Sequence, residues 1–222
     1  MQRRNLILSV GLLAVGSGAQ ALSETDAASG IRAALEKGAN SAVALLGRQD
    51  GFMGNAKVHI QLPGALQSAA KLAKATGQGR KVEELELAMN RAAEAAVPKA
   101  KELLVNAVKR MSVEDGLKIL HGGEDSATRF FEAKTRAPIG EQFLPIVQQA
   151  TKKVSLAEKY NAVAGKAAGF GLLKKEDSNI DSYVTTKALD GLFLMIAEEE
   201  KKIRQDPVGT GSALLKKVFG GL

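Results

Sequence analysis

The chain has 222 residues, 45% hydrophobic and 4% aromatic, with 31 Lys and Arg against 24 Asp and Glu for a net charge of +7. It holds no cysteine, which excludes a disulfide framework, a thiol nucleophile and a thiolate metal site. Cationic residues mostly alternate with anionic ones and no basic stripe with interleaved aromatics is visible, so nucleic acid is not an expected partner and the surplus suggests only a slight preference for anions.

Arg3 and Arg4 open the chain, and Leu6 to Val15 is almost continuously apolar. Ala19-Gln20-Ala21 then places small residues at the two spaced positions a signal peptidase reads. The pattern predicts a signal peptide over 1–21, cleaved after Ala21, and a periplasmic protein beginning at Leu22. The apolar stretch is far shorter than the ~20 residues of a membrane span. Arg3-Arg4-Asn5-Leu6-Ile7 also fits the twin-arginine signals that export folded proteins, beside the plainer reading of an ordinary basic leader. Without the leader, 29 Lys and Arg face 24 Asp and Glu over 201 residues, enough chain for one sizeable core.

Ser23, with Asp26 three residues on, opens the first predicted helix. Ile31, Leu35, Ala39, Ala42, Val43 and Leu46 form its apolar face and Gly47 ends it. Residues 48–63 read as irregular, with turn pairs at Asp50-Gly51 and Gly54-Asn55. Val58-His59-Ile60-Gln61-Leu62 alternates apolar and polar, which predicts a short extended segment stopped by Pro63; no comparable strand exists to pair with it. A short helix follows over 65–75, ended by Gly77 and Gly79. A long helix starts near Arg80 with Val82, Leu85, Met89, Ala92, Ala93 and Ala96 on one face. Pro98 kinks it or starts a new helix, which continues through Leu104 and Val108.

Ser112 with Asp115 caps a short helix ending at His121-Gly122-Gly123. Another begins near Asp125, and Pro138 with Gly140 is expected to break it before a further helix to about Val154. Ser155 with Glu158 is a capping box for a helix to about Ala168, before a loop at Gly169 and Gly171. The last long helix spans about Asp181 to Arg204. Its centre, Gly191 to Ala197, is apolar all round, so it should be buried on every side. The expected fold is all-α: an irregular multi-helix bundle around a buried C-terminal long helix, with one domain over 22–206 and a tail over 207–222.

Candidate chemistry is sparse. His59 and His121 are the two histidines, and no metal-binding spacing of His and carboxylate surrounds them; His121 reads as a helix C-terminal residue. Glu86, Asn90 and Glu94 lie four apart on one flank of the long helix, either as a ligand or acid/base site or as a polar flank with Arg91 as partner. Asp190 directly precedes the apolar run, so at least partial burial is expected. It is then a site residue or a structural partner of Arg91 or Lys187. In Glu198-Glu199-Glu200-Lys201-Lys202-Ile203-Arg204, pairs Glu198 to Lys202 and Glu200 to Arg204 predict a self-stabilised, solvated helix end. Ser68-Ala69-Ala70-Lys71 matches a Ser-x-x-Lys nucleophile, but the companion Ser-Asp-Asn and Lys-Thr-Gly elements are missing. Leu214, Leu215, Lys216, Lys217 and Phe219 make a short amphipathic tail for packing on the bundle, docking a partner or touching a membrane surface. No cofactor and no metal site is read from the sequence.

Several stretches together resemble a known family. They are Asp50-Gly51-Phe52, Val58 to Pro63, Glu84 to Pro98, and Met111 to Asp115 with Gly122-Gly123. Lys187 to Phe193 and Leu214 to Phe219 complete the set. Their combination is similar to a family of exported bacterial proteins catalogued only as a domain of unknown function. The resemblance implies an all-helical, envelope-located domain and brings no activity, cofactor or catalytic residue. Relatives in that family are often lipoproteins; a chain without cysteine departs from them and points to a soluble periplasmic form. Composition, motifs and resemblance together predict a non-enzymatic binding or interaction protein of the envelope, whose partner is an envelope protein. The alternative is a carrier of an apolar ligand such as a fatty acid or phospholipid, and an enzyme using Asp190, Glu86 and Glu94 is the third.

Overall fold

The computed structural model describes residues 24–77, 79–154, 157–161 and 179–206. Seven α-helices occupy them: α1 Glu24–Leu46, α2 Gly64–Ala75, α3 Gly79–Ala96, α4 Ala100–Lys109, α5 Val113–Leu120, α6 Ser126–Thr151 and α7 Ile180–Gln205. No strand occurs among the described residues. Residues 157–161 are helical. Ser23, Ser155, the stretch from Ala162 to Ser178 and the tail residues Leu214, Leu215, Lys216, Lys217 and Phe219 lie outside the described residues.

α7 packs against α6, α1 and α3 and forms the centre of the bundle. Its Val184, Ala188, Leu192 and Ile196, spaced at four, are buried to within 2%. Leu194 is 41% exposed, which corrects the expectation of burial on every side: one face of the apolar run meets solvent. Asn179 caps the helix by accepting the Ser182 N–H at 2.7 Å. Gly191 sits where α7 meets the irregular segment. A Cβ there would lie 2.8 Å from Phe52 Cε1, closer than carbon atoms approach, and a tight 3.2 Å from Val58 Cβ. Gly191→Ala is therefore expected to destabilise the fold by about 1–3 kcal/mol, measured by denaturant unfolding; an unchanged midpoint would refute the packing described.

Pro98 lies in a 3-10 turn, Val97–Lys99, that joins α3 to α4. Ser112 and Asp115 form the full reciprocal capping box of α5. α6, however, runs unbroken through Pro138 and Pro145, which corrects the predicted break at 138–140. The carbonyls these prolines leave without a helical donor belong to Lys134 and Glu141, both exposed residues, so the freed groups fall on the solvent side of α6. Meanwhile Phe131, Ile139, Phe143 and Val147 are fully buried, and that apolar stripe holds the helix together.

The charged end of α7 is not the solvated run its spacing suggests. Glu200 is buried, and it accepts the Ala127 N–H at 3.0 Å, the Thr128 N–H at 2.9 Å and the Thr128 hydroxyl at 2.9 Å. The carboxylate thus caps the N-terminus of α6 from another helix, where the preceding Asp125 makes no side-chain cap. Arg204 joins Glu200 at 2.9 Å and donates to the Ile119 carbonyl and the Ser126 hydroxyl. The predicted Glu200–Arg204 pair is present, but it is an internal tie between α5, α6 and α7. Glu198 pairs with Lys57, not with Lys202, which pairs with Glu199.

Candidate functional site

The polar flank of α3 is used up along its length by residues 50–62. Glu94, only 4% exposed, accepts the Phe52 and Met53 N–H groups at 3.0 and 3.1 Å and the Arg91 guanidinium at 2.6 Å. Arg91 reaches on to Asp50 at 2.7 Å. Asp50 has a φ of 62°, a conformation that Asp tolerates better than most residues. One turn back, Asn90 is fully buried. Its Oδ1 accepts the Ile60 N–H at 2.8 Å, and its Nδ2 donates to the Ile60 carbonyl at 2.9 Å and to the Glu86 carbonyl at 2.9 Å. The amide thus pairs with Ile60 as a neighbouring strand would. One more turn back, Glu86 accepts from His59 Nε2 at 2.8 Å.

The spacing of Glu86, Asn90 and Glu94 is therefore a clamp on an irregular segment: Asn90 and Glu94 hold its main chain and Glu86 holds the His59 ring. The apolar side chains of that segment, Phe52, Val58, Ile60 and Leu62, are buried in the core. Segment 48–63 packs as a plug, bonded on one side by three turns of α3 and on the other by Tyr183 and Glu198 of α7.

His59 completes the clamp. Its Nδ1 faces the Met53 carbonyl at 2.9 Å while Nε2 faces Glu86. Both partners are acceptors, so only the imidazolium satisfies both contacts. Partial burial works against the charge, but the Glu86 hydrogen bond, the Met53 carbonyl and the Glu86 charge outweigh it, and the pKa is raised above its ordinary 6.5. A raised pKa means that His59 contributes stability fully below about 6.5 and loses it as pH rises through the folded value. The wild-type protein should thus lose stability over that window by more than a His59→Ala variant, and the His59 ring should titrate above 6.5 by NMR. A ring midpoint below 6.5 would contradict the clamp.

Two open grooves flank the plug. One, of about 360 Å³, lies on the α7 side, with Lys57, Gln61, Tyr183, Lys187, Asp190 and Leu194 in its walls. The other, of about 280 Å³, lies on the α2–α3 side, bordered by His59, Gln67, Lys71, Lys74 and Glu86. Asp190 and Glu86 thus open onto different grooves on either side of residues 57–62. Asp190 is 45% exposed in its side chain, which corrects the expectation of burial. It pairs with Arg136 at 2.5 Å and lies 3.6 Å from Lys187. Arg91, the other partner considered, is taken by Glu94 and Asp50. The apolar run after Asp190 did not bury it, because position 190 falls on the flank of α7 facing Arg136.

His121 caps α5 through its backbone N–H, and its side chain is exposed. Lys71 borders the α2–α3 groove, while the Ser68 side chain lies outside the described residues. No group of three or more His, Asp or Glu side chains placed to hold a metal occurs among the described residues. None of the described helices is long and apolar enough to cross a membrane.

Sequence reasoning found Glu86, Asn90, Arg91 and Glu94 and the pairing of the flank with Arg91, present as Arg91–Glu94, but missed their partners in residues 50–60. The available signal was Asn90 itself, a polar residue between Met89 and Ala92-Ala93 on a face that is otherwise apolar. His59 sits in the segment the helix grips, and nothing local links it to Glu86, 27 residues away.

No curated protein and no solved structure matches the chain. A family model described as a protein of unknown function, DUF4197, matches residues 21–220, and the chain belongs to that family.

Proposed function

We propose that this is a non-enzymatic binding protein of the bacterial periplasm, exported by its first 21 residues and acting through its surface in the cell envelope. One observation carries the reading. The side chains able to do chemistry, Glu86, Asn90 and Glu94, are engaged with the plug, and Asp190 is separated from them and held by Arg136. The fold thereby holds an extended segment rigidly at the surface between two grooves, which is an arrangement suited to recognition.

The alternative, a carrier of a fatty acid or phospholipid, draws on a third groove of about 470 Å³ between α4 and α6. Leu103, Ala107, Phe130 and Pro138 line it, with Arg110 and Lys134 at its edge. Against this, the pocket among Ile31, Leu35, Ile119, Phe131 and Ile196, with Glu200 and Arg204 also in its wall, has room of about 20 Å³, the space of one water and too little for an acyl chain.

Native mass spectrometry of the protein purified gently from the periplasm separates the readings. A bound mass of a few hundred daltons supports the carrier. A clean protein mass, together with an envelope protein captured by cross-linking in cells, supports the binding protein.

A further inference from the structure

Residues 59–61 show an alternation of partners that defines an edge. The Ile60 N–H and C=O both face Asn90 on α3. The next carbonyl, that of Gln61, faces the opposite way and accepts the Tyr183 hydroxyl of α7 at 3.0 Å. In extended chain, successive residues present their N–H and C=O to opposite edges. The Gln61 N–H and the His59 C=O therefore share the α7 edge, and among the described residues neither has a protein partner. Gln61 is exposed, and this edge borders the groove of about 360 Å³. One residue of a strand lying parallel opposite Ile60 could donate to the His59 carbonyl and accept from the Gln61 N–H.

The far wall of the groove indicates the charge of the occupant. Lys57 is held by Glu198 at 2.5 Å and Asp190 by Arg136 at 2.5 Å. Lys187 is half-exposed, 3.6 Å from that carboxylate and 5.8 Å from the centre of the Tyr183 ring; with Lys57 matched by Glu198 and Asp190 by Arg136, it carries the groove's excess positive charge. Leu194, one of the few exposed large apolar residues, supplies an apolar contact in the same groove.

We propose that this groove binds an extended, carboxylate-bearing peptide segment of a partner protein, which adds as a strand to the open edge at 59–61 and sets its carboxylate on Lys187. The inference rests on the binding-protein reading above and names the partner's chemistry. It also accounts for the clamp: a buried Asn, a buried Glu and a His–Glu pair hold residues 50–62 in place, and strand addition requires an edge that is already ordered.

The test is a randomised heptapeptide library displayed on phage and panned against the full protein, with enriched peptides synthesised and titrated by calorimetry. The expected peptides carry Asp or Glu, and their affinity falls with salt. Gln61→Pro removes a donor that has no partner in the free protein, along with the Gln side chain, and fixes φ at 61; affinity should drop about tenfold or more, with the melting temperature measured beside it to separate lost binding from lost fold. Lys187→Glu should weaken binding by a similar factor. Should Gln61→Pro fold poorly, N-methylation of the peptide backbone at the residue facing Ile60 must abolish binding to the unaltered protein.

Enrichment of no peptide, or of peptides that bind Gln61→Pro or the N-methylated form equally well, overturns the proposal. If the envelope protein captured in cells is retained by Gln61→Pro and Lys187→Glu, strand addition fails while the binding-protein reading stands. If neither peptide nor envelope protein is captured, both fail.

Discussion

Replacing Glu200 with alanine is expected to lower the unfolding free energy by about 3–5 kcal/mol, the largest effect of any single substitution considered. Three donors lose their acceptor together: the Ala127 and Thr128 N–H groups and the Thr128 hydroxyl. The first two are among the groups at a helix N-terminus that no residue of the helix itself can satisfy. Arg204, with only 15% of its side chain exposed, loses its contact with the Glu200 carboxylate. It also donates to the Ile119 carbonyl and the Ser126 hydroxyl, both of them neutral. Glu200→Gln should recover part of the loss, because the amide oxygen still accepts but carries no charge. Glu198→Ala is the control two residues away. Its partner Lys57 is 56% exposed, so solvent screens the pair and its loss should barely move the unfolding midpoint. Urea unfolding of the three variants checks the ranking, and equal losses for Glu198→Ala and Glu200→Ala would show that α7 does not cap α6.

The second large effect concerns Asn90. Asn90→Ala should cost about 3 kcal/mol, because the Ile60 N–H and C=O are then left buried without partners. Ile60 is 2% exposed, so water reaches neither group without displacing the segment. Asn90→Asp is the sharper variant. It keeps an acceptor for the Ile60 N–H but turns its other oxygen on the Ile60 and Glu86 carbonyls, which can only repel it. Beyond the global loss, the clamp predicts a local one. Hydrogen exchange at residues 52–62 should accelerate in Asn90→Ala more than at α6 or α7, since the plug is joined to α3 by few bonds. Uniform acceleration across the chain would mean that the segment opens only with the whole protein and that the clamp is not a separable unit.

Helix identities were legible where local chemistry suffices. The Ser112–Asp115 box, the apolar spacing of α3 and the turn at Pro98 involve residues within a few positions of one another. α6 was misread for the same reason. A proline's effect on a helix depends on whether the freed carbonyl reaches water, and that is set by which side of α6 faces the bundle. Asp190 was misjudged because an apolar run signals burial of a segment, not of the residue that precedes it. Glu200 was assigned its i,i+4 partner correctly and its main task not at all, since Ala127 and Thr128 are 73 and 72 residues away.

The sequence by itself determined that this chain is an all-α bundle with a C-terminal helix at its centre, and that one flank of α3 carries an ordered set of polar side chains. Periodicity and capping are local, so they survive in the linear text. Only the tertiary structure decided what that flank holds. A carboxylate or an amide at a given helical position looks the same whether it faces solvent, a metal or a backbone 30 to 40 residues distant. The difference lies in which unsatisfied polar groups the fold brings to hydrogen-bond distance, and residues 50–62, with no helix of their own, supply backbone groups to Asn90 and Glu94 and the His59 ring to Glu86.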